Sequence, residues 1–264
     1  MTLLAGPEVP LSVLGLLVLA AVTAGFIDSV VGGGGLVQLP ALLVALPGVS
    51  PVEILATNKL ASAMGVTVSS ATYYRRVRPD PRVFGPMMLM AFAGAAGGAL
   101  VAFWIPRSAF DPIVLVVLVL VGAWVLLKPS VGVETELRLE GRRHTTAAML
   151  VGLVIGFYDG VLGPGTGSFL VVALVSLGYS FLDASANARL ANWATNVAAL
   201  VVFVPQGAVL WGVGLLMGLG NVLGAYVGAR LAVSRGAGFV RAFFVAVVAA
   251  FVVRIGGDVL GVWG

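Results

Sequence analysis

The sequence predicts an all-α integral membrane protein made of two inverted-topology repeats, each with a broken half-helix hairpin and three full transmembrane helices. Three observations predict it. The 264-residue chain is 60% hydrophobic and 10% charged, with a mean hydropathy of +1.09, whereas a soluble domain carries roughly 25% charged residues. A glycine-rich motif occurs twice inside apolar sequence, as Gly25-Phe-Ile-Asp28-Ser-Val-Val-Gly32-Gly-Gly-Gly35 and as Gly156-Phe-Tyr-Asp159-Gly-Val-Leu-Gly163-Pro-Gly165. The basic loops of one half have at most one cation at the matching place in the other. Corresponding interruptions in two halves of a membrane protein point to a transporter's substrate site.

A spanning helix needs about 20 apolar residues. Apolar segments run over Leu11–Gly25, Leu36–Leu46, Val52–Tyr74, Val83–Ile105 and Pro112–Leu127 in the first half. The second half has Thr145–Phe157, Ser168–Leu177, Leu182–Val204, Val209–Leu231 and Gly238–Leu260. Their apolar residues do not alternate with polar ones, which argues against a barrel. The first two segments of each half are short and flank a glycine-rich break, so each pair is expected to form a hairpin of half-helices. The organisation is then residues 1–128 as the first membrane repeat, 129–144 as a cytoplasmic connector and 145–264 as the second repeat. His144, the one histidine, is expected to be a solvated residue of that connector.

Most of the 15 Lys and Arg residues fall into three loops: Arg75, Arg76, Arg78 and Arg82; Lys128, Arg138, Arg142 and Arg143; Arg230, Arg235 and Arg241. The positive-inside rule places these loops in the cytoplasm. The loop matching Arg75 in the second half is the uncharged Pro205-Gln-Gly207, and the region matching Arg230 holds only Arg107. This bias inverts between halves, which requires an odd number of crossings in each and puts both termini outside the cytoplasm. The expected location is the cell (inner) membrane, multi-pass. The pI near 9.9 reflects these short loops, and no nucleic acid is expected. The N-terminus lacks the basic stretch of a signal peptide.

Non-helical backbone at membrane depth survives only when buried in protein or lining a cavity, so the two glycine-rich tips should meet. Gly32, Gly33, Gly34 and Gly35 let the backbone come close to a ligand. The helix beginning near Leu36 offers amide N–H groups and a partial positive charge, a setting suited to an anion. The second tip adds Gly165, Thr166, Gly167 and Ser168 before a similar helix start. Close helix packing is the competing explanation.

Two cations lie inside apolar sequence at corresponding places, in Thr57-Asn58-Lys59-Leu60 and Asn187-Ala-Arg189-Leu190. A charge at such depth usually faces a cavity or a partner. Snorkelling to the interface is the alternative. Arg189, Asn192 and Asn196 share one helix face by their spacing. The expected anion-binding set is Lys59, Arg189, Gly33, Gly34, Gly35, Thr57, Asn58, Gly165, Thr166, Gly167, Ser168, Asn192 and Asn196. Asp28 and Asp159 are the coupling-ion candidates. They could instead bond backbone freed by the helix break, or pair with Lys59 or Arg189. Glu53 and Asp183 read as acids favoured by the dipole at helix starts. Gln38, Gln206 and Asn221 are weaker candidates.

No catalytic residue, metal ligand set or cofactor is expected, and the protein is not read as an enzyme. Cysteine is absent, no nucleophile triad or carboxylate pair is visible, and there is no G-x-x-x-x-G-K-[ST] element for ATP.

These motifs resemble the TauE/SafE family of membrane permeases, and within it the YfcA-like branch. The first glycine motif followed by Pro40 resembles the family's amino-terminal motif. Thr57-Asn58-Lys59 resembles its threonine-serine-lysine element, with Asn58 in place of the usual serine. The second motif, through Thr166-Gly-Ser168-Phe169, and Asn187-Ala-Arg189-Leu-Ala-Asn192-Trp-Ala-Thr195-Asn196 are similar to the YfcA-like form, although Arg189 stands where that branch often has lysine. The similarity extends to Val209-Leu-Trp211 and Gly224 through Leu231. It implies transport, expected as export, of small sulfur-containing anions such as sulfite or organosulfonates. The expected partners are that small anionic substrate and the lipid bilayer. Assembly into a homo-oligomer, an anion channel of the same fold, and a non-transport assembly or sensor subunit all stay open at this point.

Overall fold

A computed structural model describes residues 10–105 and 135–259, with side chains described through Val240 and at 242, 243 and 246. The expected segment Pro112–Leu127, Arg107 and Lys128 lie outside the described residues. All regular structure among the described residues is helical. The elements are α1 (Leu11–Val31), α2 (Gly35–Ala45), α3 (Pro51–Val77), α4 (Pro81–Ala102), α5 (Gly141–Val161), α6 (Thr166–Ser176), α7 (Phe181–Phe203) and α8 (Trp211–Val259). The last is interrupted at Gly236, whose φ of 76° and ψ of −171° are not helical. α1, α4, α5 and the Trp211–Val240 part of α8 are each long and apolar enough to cross a membrane.

Caps fix where the helices begin. Ser50 accepts a hydrogen bond from the Glu53 amide while the Glu53 carboxylate reaches back to the Ser50 amide, and Pro51 opens α3. This reciprocal box satisfies donors that a helix start otherwise leaves unpaired. Ser180 and Asp183 open α7 similarly: Ser180 Oγ accepts from the Asp183 amide at 3.1 Å and donates to the Asp183 carboxylate at 2.8 Å. Asp80 caps α4 by accepting from the Arg82 amide. Glu53 and Asp183 are therefore the helix-start acids their sequence position suggested.

Two apolar clusters mark the two ends of the bundle. One joins Leu17 and Ala21 of α1 to Leu39, Leu42 and Leu46 around α2, with Ile54, Ala102, Phe203 and Val213. The other joins Tyr73, Met87 and Ala148 to Leu170 and Leu174 of α6, with Phe181, Ala229 and Ala232. α2 thus folds back along the first half of α1. α6 returns toward the end at which α5 begins. The turn between α3 and α4 and the start of α5 line one groove, with Asp80, Arg82, Glu140 and Arg142 in its wall. Arg230 and Arg235 follow on α8 beside the cluster residues Ala229 and Ala232. The described basic loop residues therefore gather at one end.

Two helix pairs carry the tightest packing: α5 against α4, and α1 against α8. In each, glycines at every fourth position touch the partner's backbone. Gly152, Gly156 and Gly160 of α5 sit against the carbonyls of Met87, Ala91 and Ala95. Gly220, Gly224 and Gly228 of α8 sit against those of Val18, Val22 and Phe26. Small residues at this spacing let membrane helices approach closely, where dispersion replaces the hydrophobic effect as the driving force.

The structure corrects three expectations. Among the described helices only α2 and α6, at 11 residues each, are half-length. α1 and α5 have 21 residues each, about 31 Å at the helical rise, because the residues around Asp28 and Asp159 continue the helix instead of ending it. The connector ends earlier than 144, since α5 begins at Gly141. Finally, His144 is not solvated. It lies 3% exposed on the first turn of α5, its Nε2 2.7 Å from the Tyr179 hydroxyl.

Candidate functional site

Each chain reversal follows from backbone that only glycine adopts readily. Gly32 ends α1 at φ 87°, and Gly163 and Gly165 turn the second break at φ 91° and 78°. Gly33, Gly34 and Gly35 are not left-handed; Gly34 is already helical at φ −58°, and Gly35 opens α2. The two tips meet. The Ser168 amide donates to the Gly32 carbonyl at 3.0 Å, and Ser168 Oγ donates to the Val31 carbonyl at 3.0 Å. A Cβ on Gly32 would collide with the backbone of Gly167 and Ser168. The tip contact therefore requires an absent side chain as well as an unusual φ.

Four charges converge behind this contact, and their pairing crosses the halves. Lys59 Nζ of α3 lies 2.7 Å from Asp159 Oδ2 of α5, with both side chains 2% exposed. Arg189 Nη1 of α7 lies 3.1 Å from Asp28 Oδ2 of α1 and also donates to the Asp28 carbonyl. The cation of each half is thus held by the acid of the other. Neither cation snorkels: Arg189 is 0% and Lys59 2% exposed.

The surroundings of the two acids differ. Asp159 Oδ1 accepts from Thr166 Oγ1 at 2.6 Å, a second strong contact beside Lys59. Asp28 Oδ1 accepts only a longer bond from the Gly34 amide at 3.3 Å, and its side chain is 14% exposed. Arg189 Nε and Nη2 are buried with no hydrogen-bond partner. Those two nitrogens form one edge of the guanidinium fork, the edge that matches two oxygens of an oxyanion. That edge faces the second tip, where a Cβ on Gly167 would lie 2.8 Å from Nη2.

Asp28, Gly32, Gly35, Asn58, Lys59, Ser62, Asp159, Gly163, Gly165, Thr166, Gly167, Asn192 and Asn196 line one polar cavity of about 20 Å³. It has room for about one water, and a sulfur oxyanion would need the tips to part.

Eight residues of the expected set line this cavity. Arg189 does not; it lies behind Gly167, with Nη2 toward that residue. Nor does Thr57, whose hydroxyl accepts from the Leu210 amide at 3.0 Å and holds the start of α8. Gly33 and Ser168 belong to the tip contact. Gly34 supplies its amide to Asp28. The amides expected to be free at the helix starts are in part engaged, Gly34 by Asp28 and Ser168 by Gly32. Asn192 and Asn196 bond each other along α7, with Asn196 Nδ2 3.2 Å from Asn192 Oδ1. Gln38 and Asn221 are joined side chain to side chain, and Gln38 reaches the Asn58 carbonyl. Gln206 is exposed. Gly32, Gly163 and Ser62 line the cavity but lie outside the expected set. Gly32 and Gly163 sit within the repeated motif, and Ser62 lies one turn beyond Lys59, so all three were findable.

Comparison with known proteins gives a consistent result. The family model described as "Sulfite exporter TauE/SafE" matches residues 17–255. The chain is 43% identical over 247 residues to "Probable membrane transporter protein ORF9" of Sinorhizobium sp, covering 93% of each chain. It is 38% identical over 240 residues to "Probable membrane transporter protein YfcA" of Escherichia coli K12, covering 89% of this chain and 86% of the relative. A "Probable membrane transporter protein" of Haemophilus influenzae is 34% identical over 236 residues, covering 89% and 91%. No solved structure matches. With its apolar helices and glycine tips in place, the chain is a multi-pass membrane protein that belongs to the sulfite exporter TauE/SafE family.

Proposed function

We propose that this protein is a secondary transporter, working as an exporter, of small sulfur-containing anions such as sulfite or organosulfonates. The observation that carries the reading is the buried, unpartnered edge of Arg189 at the contact of two glycine tips. A guanidinium edge held in low dielectric binds two oxygens of an oxyanion far better than one in water. Lys59 lines the cavity with its charge balanced by Asp159.

In this reading the two halves are inverted-topology repeats. Matched hairpins, matched caps and matched glycine crossings support it. The basic end faces the cytoplasm of the inner membrane, and both termini lie outside. One half rocks against the other, parting the tips toward each side in turn. The contracted cavity corresponds to the closed passage between those two openings. Tags on the connector and both termini check the topology, since a terminus in the cytoplasm contradicts the inverted repeat.

The functional test is sulfite and sulfoacetate flux into proteoliposomes. Saturable flux with counterflow is expected. Flux that never saturates and shows no counterflow would indicate a channel, and no flux with any sulfur oxyanion would overturn the substrate assignment.

A further inference from the structure

The four charges at the tips cancel, Lys59 against Asp159 and Arg189 against Asp28. An anion that enters adds a negative charge with no cation left to balance it. An uncompensated charge in a closed, low-dielectric site is strongly disfavoured. The site therefore needs a positive charge to arrive with each anion, and the smallest available is a proton.

The two carboxylates are not equally placed to receive it. Asp159 is 2% exposed, pinned by Lys59 at 2.7 Å and by Thr166 at 2.6 Å. Both acids border the cavity, but the Asp28 side chain is 14% exposed and its carboxylate is held by the longer contacts to Arg189 and Gly34. The titratable groups facing Asp28 are Arg189 from α7, Lys59 and Tyr73 from α3, and Asp159 from α5. α2 and α6 carry no titratable side chain. On α8 as far as Val240, Tyr226, Arg230 and Arg235 are exposed. Arg189 is thus the one charged side chain in direct contact with the Asp28 carboxylate, and protonation there would weaken that contact while Nη1 keeps its bond to the Asp28 carbonyl.

We propose that the protein moves its anion together with one proton, carried on the Asp28 carboxylate. The proton adds to a carboxylate oxygen of Asp28, the contact to Arg189 Nη1 loosens, and the guanidinium turns its charge to the anion. On release of the anion, Asp28 gives up the proton and re-forms the pair. Lys59 and Asp159 stay closed throughout. This inference rests on the anion-transport reading above.

The experiment uses the full chain in proteoliposomes holding a trapped pH dye, with the membrane potential clamped by potassium and valinomycin. Sulfoacetate is the probe, kept above about pH 6 so that its sulfonate and its carboxylate, which titrates at about 4, both stay ionised and bring no proton of their own. Its second charge is carried by the clamped potential. Wild type should acidify the lumen as sulfoacetate enters, with the same saturation as the anion flux. Asp28→Asn should cut the protons moved per sulfoacetate at least tenfold, whereas Asp159→Asn should lower both fluxes together.

Saturable wild-type flux without acidification would overturn the proposal, as would an Asp28→Asn variant that keeps the wild-type ratio. Should Asp28→Asn fail to fold, sulfoacetate binding to wild type decides: affinity should rise toward low pH, approaching about tenfold per unit where one proton is taken up. A flat profile would contradict it. Absence of saturable flux for both sulfoacetate and sulfite would instead bring down the transport reading, and this one with it.

Discussion

The two buried ion pairs occupy corresponding places in the two halves, yet they leave different things over. In the Lys59–Asp159 pair the carboxylate is engaged on both oxygens, by an ammonium and by the Thr166 hydroxyl. The Arg189–Asp28 pair uses only Nη1 of its guanidinium and leaves Nε and Nη2 buried without partners. A lysine is a point charge that one carboxylate can satisfy, whereas arginine carries a fork with two usable edges. The first pair has the character of a strap between halves, and the second that of a half-occupied receptor. On the proposed function, the choice of cation at corresponding places would divide holding from binding.

The largest effect expected from breaking this comparison is on the strap. Lys59→Ala leaves Asp159 buried and unpaired, a change that typically destabilises by about 3–5 kcal/mol. Thermal unfolding in detergent should show a large loss of stability. The double variant Lys59→Met with Asp159→Leu should recover most of it, because an apolar pair of similar volume replaces the ions. A double variant as unstable as the single would mean that Lys59 matters through something other than this pair.

A smaller stability effect, but a larger functional one, is expected at the receptor. Arg189→Lys can still meet Asp28 but has no fork. Loss of a charge-assisted hydrogen bond is worth about 1.5–3 kcal/mol, so the half-saturating anion concentration should rise roughly tenfold or more with little change in unfolding temperature. Equal losses of stability and affinity would erase the distinction between the two pairs. Thr166→Val sharpens it further. Removing the hydroxyl from Asp159 Oδ1 should cost about 1–3 kcal/mol and leave the ratio of sulfite to sulfoacetate flux unchanged.

The smallest effect lies away from the tips. Tyr179→Phe removes the hydroxyl 2.7 Å from His144 Nε2 and should cost about 1 kcal/mol with no change in anion affinity. A change in affinity would tie the basic end of the bundle to the site.

Much of this was legible in the sequence, for physical reasons that can be named. Composition and apolar segment length reported the membrane. The repeated motif around Asp28 and Asp159 reported the two reversals, because glycine is what a left-handed turn at Gly32 and Gly163 demands. Lys59 and Arg189 stood out as charges in apolar sequence. The length of α1 and α5 was not legible. An acid and glycines near a break look like the end of a helix, but here tertiary contacts satisfy Asp28 and Asp159 inside it. His144 was misplaced for the same reason, since a basic flank reads as solvent until Tyr179 closes over the ring. The crossed pairing could not be read from one half alone, because it arises only when the tips touch.

The central claim is that an anion is held between the two tips by the free edge of Arg189. The chain has no cysteine, so a single Ser62→Cys, half-buried on the cavity wall, reports on that place alone. Its rate of reaction with a maleimide should fall several-fold when sulfoacetate is added, and the protection should vanish in an Arg189→Ala background. Labelling that is indifferent to sulfoacetate, or protection that survives without Arg189, would contradict the claim.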